Sequence, residues 1–314
     1  MKVHDARDGT YRLSTVAGMA GRYTITAMVN GKAIEGTPIE IPAITGLIKV
    51  LGKNGTQKGE LLWPLGVSIN RDGDIVTADS GNDRLQVFDT DGNCKKVIEY
   101  IHFKKPFHPT DVVVSEENHL YYSLDEGNRQ VVVSDMDGNL IDCFGQGKLS
   151  YPVYIAIHPL NGDVYIVDRC VLFQKIKVFP KNGSYVRSFS LKDILSIISS
   201  IAISRTGMIF AVNKNTTEGY IQMFHSHGKY LGRFGSTSTE GDGERREKGI
   251  VVYDEYVYAC NNNSIIKYDF HGVVLASIEI KERIKYPVSL AVGGESLKIV
   301  VVDRDNCCLK MFVE

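Results

Sequence analysis

From about residue 60 onward, apolar residues fall in short runs of four to six, divided by turns rich in Gly, Asp and Asn. Runs of that length, rich in Val, Ile, Tyr and Phe, are strands. One of them, Arg84-Leu85-Gln86-Val87-Phe88, ends in Asp89-Thr90-Asp91-Gly92-Asn93, and this run with its Asp-Gly turn returns downstream. The turn glycine recurs as Gly92, Gly138, Gly183, Gly228 and Gly272, at intervals of 46, 45, 45 and 44 residues. The apolar residue ahead of the turn recurs as Phe88, Val133, Phe179, Phe224, Tyr268 and Phe312. A repeat of about 44 residues belongs to propellers or helical arrays. Helical arrays need apolar spacings of three and four over at least ten residues, and no period supplies them. Each period instead holds four strand-like runs, as in Val67-Ser68-Ile69, Ile75 to Ala78, Leu85 to Phe88 and the run after Asn93. Four antiparallel strands per period, repeated radially, predict an all-β, six-bladed β-propeller.

The blades are expected at 61–104, 105–149, 150–194, 195–248, 249–283 and 284–314. Gly46 to Gly52 is an orphan strand ahead of the first blade, and the last period stops after its third strand. Pairing of 46–52 with the last blade would close the ring and remove two exposed edges. Residues 46–314 are therefore expected to form the propeller. Pro64, Pro109, Pro152 and Pro287 stand at the start of the first strand in blades 1, 2, 3 and 6, with Ser199 and Gly249 near that place in blades 4 and 5. Ser236 to Gly249, rich in Gly, Ser and charge, is expected to be a surface loop.

Residues 1–45 do not follow the period. Asp8-Gly9-Thr10-Tyr11-Arg12-Leu13, Gly21-Arg22-Tyr23-Thr24-Ile25-Thr26-Ala27 and Gly31 to Ile41 alternate apolar and polar residues and imply three strands. They resemble the C-terminal half of a filamin-type immunoglobulin-like repeat, with Thr37 and Ile39 where that family has Ser and Phe. A whole sandwich needs about seven strands. Three leave one face uncovered, so this segment is expected to be the end of a longer product or to dock on a partner, the former being favoured.

Charge and composition narrow the function. Lys+Arg 36 against Asp+Glu 37 gives a net charge of −1, so no global field draws nucleic acid or acidic membrane. No apolar stretch approaches the ~18–20 residues of a membrane span, and no apolar core of a signal peptide follows Met1, so a cytoplasmic location is expected. The six cysteines, Cys94, Cys143, Cys170, Cys260, Cys307 and Cys308, form no C-x-x-C pair; they are expected to be reduced, with Cys307-Cys308 the most exposed. No metal or cofactor site is expected. His225-x-His227 has a spacing that can hold a metal, but the reading favoured for it is a surface turn. No G-x-S-x-G, helix-opening G-x-G-x-x-G or H-E-x-x-H occurs, so no catalytic residue is assigned.

Trp63-Pro64-Leu65-Gly66-Val67, Gly73-Asp74-Ile75-Val76-Thr77-Ala78-Asp79 and Asn82-Asp83-Arg84-Leu85-Gln86-Val87-Phe88 resemble the NHL repeat. Blade 2 keeps Gly127-Asn128-Arg129-Gln130-Val131-Val132, blade 3 keeps Gly162 to Asp168, and later blades drift. A filamin-type repeat followed by an NHL propeller resembles the C-terminal half of the tripartite-motif (TRIM) NHL proteins. That resemblance implies a non-catalytic module that recruits substrates to a ubiquitin ligase whose RING would lie in a longer product. The RNA-binding alternative, with post-transcriptional repression, uses the same face. A third reading, a calcium-dependent propeller hydrolase or lyase, would gather Asp79, Asp168, Asn213 and Asp303 in the central channel.

In such blades the lead-in to the first strand and the loop between the second and third strands open onto one face. Trp63, His108, Tyr151 and Tyr286 come from lead-ins; Arg84, Arg129, Arg169 and Arg304 come from the loops. Aromatics mixed with Arg suit a peptide hot spot or stacked RNA bases. For Arg84 and Arg129 the favoured reading is structural, tying adjacent blades through Asp side chains and backbone carbonyls.

Overall fold

The alternating runs fold into six four-stranded antiparallel sheets arranged in chain order, seen in a computed structural model. It describes residues 46–115, 117–170, 173–190, 197–214, 219–235, 249–260, 264–280, 284–294 and 297–313. Ahead of Gly46 only the backbone of short strand segments is described, so the filamin-type reading falls largely outside the described residues.

The innermost strands are Pro64–Ile69, Pro109–Ser115, Pro152–Ile157, Ile198–Ile203, Ile250–Tyr253 and Pro287–Gly293. Each packs against the next and the last against the first, which closes the ring. The prolines take the first position of the strand, where the missing N–H removes nothing from the ladder. The sixth blade takes its outer strand from the start of the chain: Gly46–Leu51 pairs antiparallel with Cys308–Val313.

The core consists of six apolar clusters, each straddling one boundary between blades. Between blades 1 and 2, Val76, Ala78, Leu85 and Val87 meet Phe107, Val112, Tyr121 and Val132. At the seam, Ile75 and Phe88 meet Leu51, Val288, Val300, Val302 and Met311. Second strands are buried on both faces, as in Ile75–Asp79, because a neighbouring blade covers each side. Fourth strands, at the perimeter, are covered less.

Along the axis, side chains staple one inner strand to the next. Ser68 Oγ accepts Val114 N–H at 3.1 Å, Asp111 Oδ2 accepts Ile155 N–H at 3.0 Å and Ser200 Oγ accepts Ile250 N–H at 3.2 Å. Gly66 makes room for the second staple, since a Cβ there would lie 2.2 Å from Asp111 Oδ1 and 2.8 Å from Val112 N.

All six cysteines are free thiols. The expectation that Cys307-Cys308 is exposed is corrected: both are 4% exposed. Cys307 ends a short 3-10 turn and Cys308 starts the third strand of blade 6, paired with Asp303 between covered faces. Burial pushes the Cys308 thiol up to about 12.

Candidate recognition face

An aspartate at the end of the second strand shapes the rim in blades 1, 2, 3 and 6. Asp79, Asp125, Asp168 and Asp303 are fully buried. Their carboxylates accept the backbone N–H groups that lead into the first strand: Leu62 to Asp79 at 2.7 Å, His108 to Asp125 at 3.2 Å, Tyr151 to Asp168 at 2.7 Å and Tyr286 to Asp303 at 3.1 Å. Third-strand cations neutralise three of them: Arg84 Nε lies 2.8 Å from Asp79, Lys177 Nζ 2.7 Å from Asp168 and Lys310 Nζ 3.4 Å from Asp303. In blade 2, Asn128 and Gln130 donate to Asp125 at 2.7 and 3.1 Å. The carboxylates are thus committed to amides and cations of their own blade, which is a poor setting for a shared calcium ion. Among the described residues no three His, Cys, Asp or Glu side chains form a metal-binding group.

The anchors bring lead-ins and loops to one edge. Gly81 N–H donates to Leu62 O at 2.8 Å, Glu126 to His108 O at 3.1 Å, Arg169 to Tyr151 O at 2.9 Å and Arg304 to Tyr286 O at 3.0 Å. The candidate residues divide on this edge. Arg84 turns inward and is 7% exposed, with Nη2 donating to Gln57 O at 2.7 Å and Glu60 O at 3.0 Å. Arg129 is exposed, with a left-handed φ of 55°, so the two arginines that share a signature have different surroundings, and the expected tie between blades is corrected for Arg84, whose carboxylate partner Asp79 belongs to its own blade. Trp63 is 64% exposed and also left-handed, at φ 47°, a conformation uncommon outside glycine.

Tyr151, Arg169 and Arg304 come together at the mouth of the axial channel. They line a cavity of about 180 Å³ with Leu65, Thr110, Asp111, Glu126, Tyr154 and Ser289. The Arg304 guanidinium stacks 3.9 Å from the centre of the Tyr286 ring and meets Asp305 at 3.3 Å. Burial and then Glu126 push the Tyr151 phenol up. Burial pushes the Asp111 carboxyl up to about 7, against the lowering pull of the Ile155 and Val112 amides.

His108 stands just ahead of the inner strand of blade 2, its Nδ1 2.8 Å from Asp83 Oδ1 of blade 1. Beside it opens a second recess, between blades 1 and 2, of about 480 Å³. Tyr100, Phe103 and Phe107 line it, with Lys104 and Lys105. Their rings pack at centroid distances of 4.9 to 6.3 Å. Sequence reasoning missed Asp111, Glu126 and this aromatic recess. The bulge after Pro109, which turns Asp111 toward the axis, leaves no signal in the apolar pattern.

Residues 61–88 match the NHL repeat family. The match spans the lead-in and first three strands of blade 1, including the Asp79–Arg84 anchor. The chain is similar to Protein lin-41 of Caenorhabditis elegans, 34% identical over 96 residues, which is 27% of this chain and 8% of that protein. It is similar to E3 ubiquitin-protein ligase TRIM71 of Gallus gallus, 31% identical over 94 residues, 27% of this chain and 11% of the ligase. Protein brain tumor of Drosophila melanogaster is 23% identical over 184 residues, 59% of this chain and 13% of that protein. These NHL-region matches thus span only about a tenth of each relative.

Among solved structures, the gluconolactonase XC5397 of Xanthomonas campestris superposes with a TM-score of 0.61 at 14% identity, covering 87% of this chain and 97% of that one. Virginiamycin B lyase of Staphylococcus aureus gives 0.57 at 14% identity, covering 83% and 87%. At such identities the likeness is one of fold alone. Among the described residues no helix is long and apolar enough to cross a membrane.

Proposed function

We propose that this propeller is a non-catalytic recognition module whose lead-in face captures a protein partner. The observation that carries the reading is Trp63. A large apolar ring, 64% exposed, is held in a left-handed backbone two residues ahead of Leu65, which lines the channel mouth. Exposed Trp, Tyr and Arg on a rigid rim are the residue types that dominate protein interfaces. Tyr151, 44% exposed, and Arg304, stacked on Tyr286, extend the same surface. By similarity to the relatives, the partner is a substrate for ubiquitylation and the ligase activity belongs to a longer product. Quantitative affinity capture with the wild-type chain and Trp63→Ala tests this. A protein that binds the purified propeller directly and loses at least tenfold in affinity in the variant supports the reading; partners indifferent to Trp63 and to Arg304 refute it.

RNA is the second reading, favoured by the exposed charge. Three of the four buried anchor carboxylates are paired with Lys or Arg, whereas Lys104, Lys105, Arg129 and Lys285 are exposed on the lead-in side. Fluorescence anisotropy with hairpin RNA separates the two. Absence of binding at low salt removes the RNA reading, and affinity that falls steeply with salt and depends on Arg169 and Arg304 would replace the protein reading.

A further inference from the structure

The opposite face carries a hairpin that departs from its counterparts. In blades 1, 2 and 5 the turn after the third strand begins with Asp89, Asp135 or Asp269, whose carboxylate accepts backbone N–H groups of its own turn. Asn93 donates to Asp89 at 2.8 Å, Asp137 to Asp135 at 2.9 Å and His271 to Asp269 at 2.9 Å. Blade 4 has His225 at that position, and His227 where blades 1 and 2 have Asp91 and Asp137. The backbone keeps the same turn: His225 N–H donates to Lys229 O and Gly228 N–H to His225 O, both at 2.8 Å, with Gly228 at φ 86°.

That turn brings two imidazoles together. Their rings stack at a centroid distance of 5.1 Å and an interplanar angle of 22°. The two Nδ1 atoms lie 3.0 Å apart, and Ser226 Oγ lies 3.2 Å from that of His225 and 3.1 Å from that of His227. Two nitrogens and one oxygen therefore form a nearly equilateral triangle. A cation about 2.1 Å from each would sit roughly 1 Å above their plane and see them at angles of about 90–100°, one face of an octahedron.

We propose that the His225-Ser226-His227 turn binds a borderline divalent transition-metal ion, such as Ni2+ or Cu2+, through both Nδ1 atoms and the Ser226 hydroxyl. Without metal, one hydrogen shared between the Nδ1 atoms accounts for their approach. Binding moves that hydrogen to Nε2 of its own ring, so a neutral pair loses no proton. Three further coordination positions face outward, for water or for a donor from another molecule. The donors carry no negative charge, and Arg187 Nη2 donates to Ser226 O at 3.1 Å, so a positive group stands behind the site. Affinity for Cu2+ should accordingly be on the order of micromolar, above that for Ni2+ and Zn2+ in the Irving–Williams order. The site lies on the hairpin face and is independent of the recognition reading.

The test titrates the whole chain with Ni2+ by calorimetry, with Cu2+ electron paramagnetic resonance as a second readout. The expected result is one ion per chain, with copper hyperfine structure from two nitrogens. His225→Asp/His227→Asn places there the residues that blades 1 and 3 carry at these positions, Asp89 and Asn182, and so should fold; it should weaken Ni2+ binding at least a hundredfold. His271→Asn, in the next blade, should leave it unchanged. Equal binding by the double variant, nitrogen hyperfine that survives in it, or no heat with wild type at a hundredfold excess of Ni2+ would overturn the proposal.

Discussion

Blades 1 and 4 share strand count, sheet order and the pairing of their second and third strands, yet they hold their rims differently. In blade 1 the Asp79 carboxylate collects Leu62 N–H, Asn82, Arg84 and Gln86, at 2.7 to 2.9 Å. In blade 4 the equivalent residue is Asn213, which donates to Tyr220 Oη at 2.8 Å. The first amide of its inner strand, that of Ile198, goes to Gln174 Oε1 of blade 3 at 2.6 Å. The difference teaches that apolar wedges between blades make the ring, and the charged anchor fixes the rim. The anchor can be replaced by neutral bonds, one borrowed from a neighbour.

Four substitutions break or sharpen that comparison. The largest effect is expected for Asp79→Ala, which strands the buried Arg84 and should cost about 3–5 kcal/mol. Asn213→Ala should cost about 1–3 kcal/mol, since it removes neutral hydrogen bonds. Urea denaturation measures both, and an equal loss would mean that the charged anchor is no stronger than the neutral one. Next comes Gly66→Ala, whose Cβ meets the Asp111 carboxylate and the Val112 amide. It should lose about 1–3 kcal/mol, against about 1 kcal/mol for Ser200→Ala, the same inner-strand position in blade 4.

Asp111 gives a pH signature. Its carboxyl titrates near 7 in the folded chain, against 3.8 ordinarily, so the folded state holds a proton that the unfolded state has lost. Its contribution to stability is therefore present below about pH 4 and declines as pH rises to about 7. Asp111→Asn keeps an acceptor for Ile155 N–H and cannot ionise. Its unfolding free energy should exceed that of wild type at pH 8, by on the order of 1–3 kcal/mol, and match it at pH 4. A gain at pH 4 equal to that at pH 8 would contradict this assignment. The smallest effect is expected for Trp63→Ala, within about 0.5 kcal/mol of wild type, because the ring faces solvent.

The all-β class and the six blades were legible in the sequence because both are periodic: the Asp-Gly turns and the residue ahead of them repeat every 44 to 46 positions. The face on which Trp63, Tyr151 and Arg304 sit was legible from turn position. The split between Arg84 and Arg129 was not. Arg84 begins its strand opposite Asp79, whereas Arg129 lies one residue ahead of Gln130, which takes the matching place opposite Asp125. Burial of Cys307-Cys308 was hidden likewise, because a short 3-10 turn rather than the apolar pattern sets the phase of that strand. Asp111 escaped notice because its environment comes from three blades at once.

The central claim is that residues building the rim and residues touching the partner are separate sets. The most direct measurement is the affinity of a captured partner for the purified chain carrying Trp63→Ala, Tyr151→Ala and Arg304→Ala together, read beside its melting temperature. The account predicts a melting temperature close to that of wild type and binding reduced at least a hundredfold. Full binding by this variant, with loss on substituting exposed residues of the hairpin face instead, would contradict it.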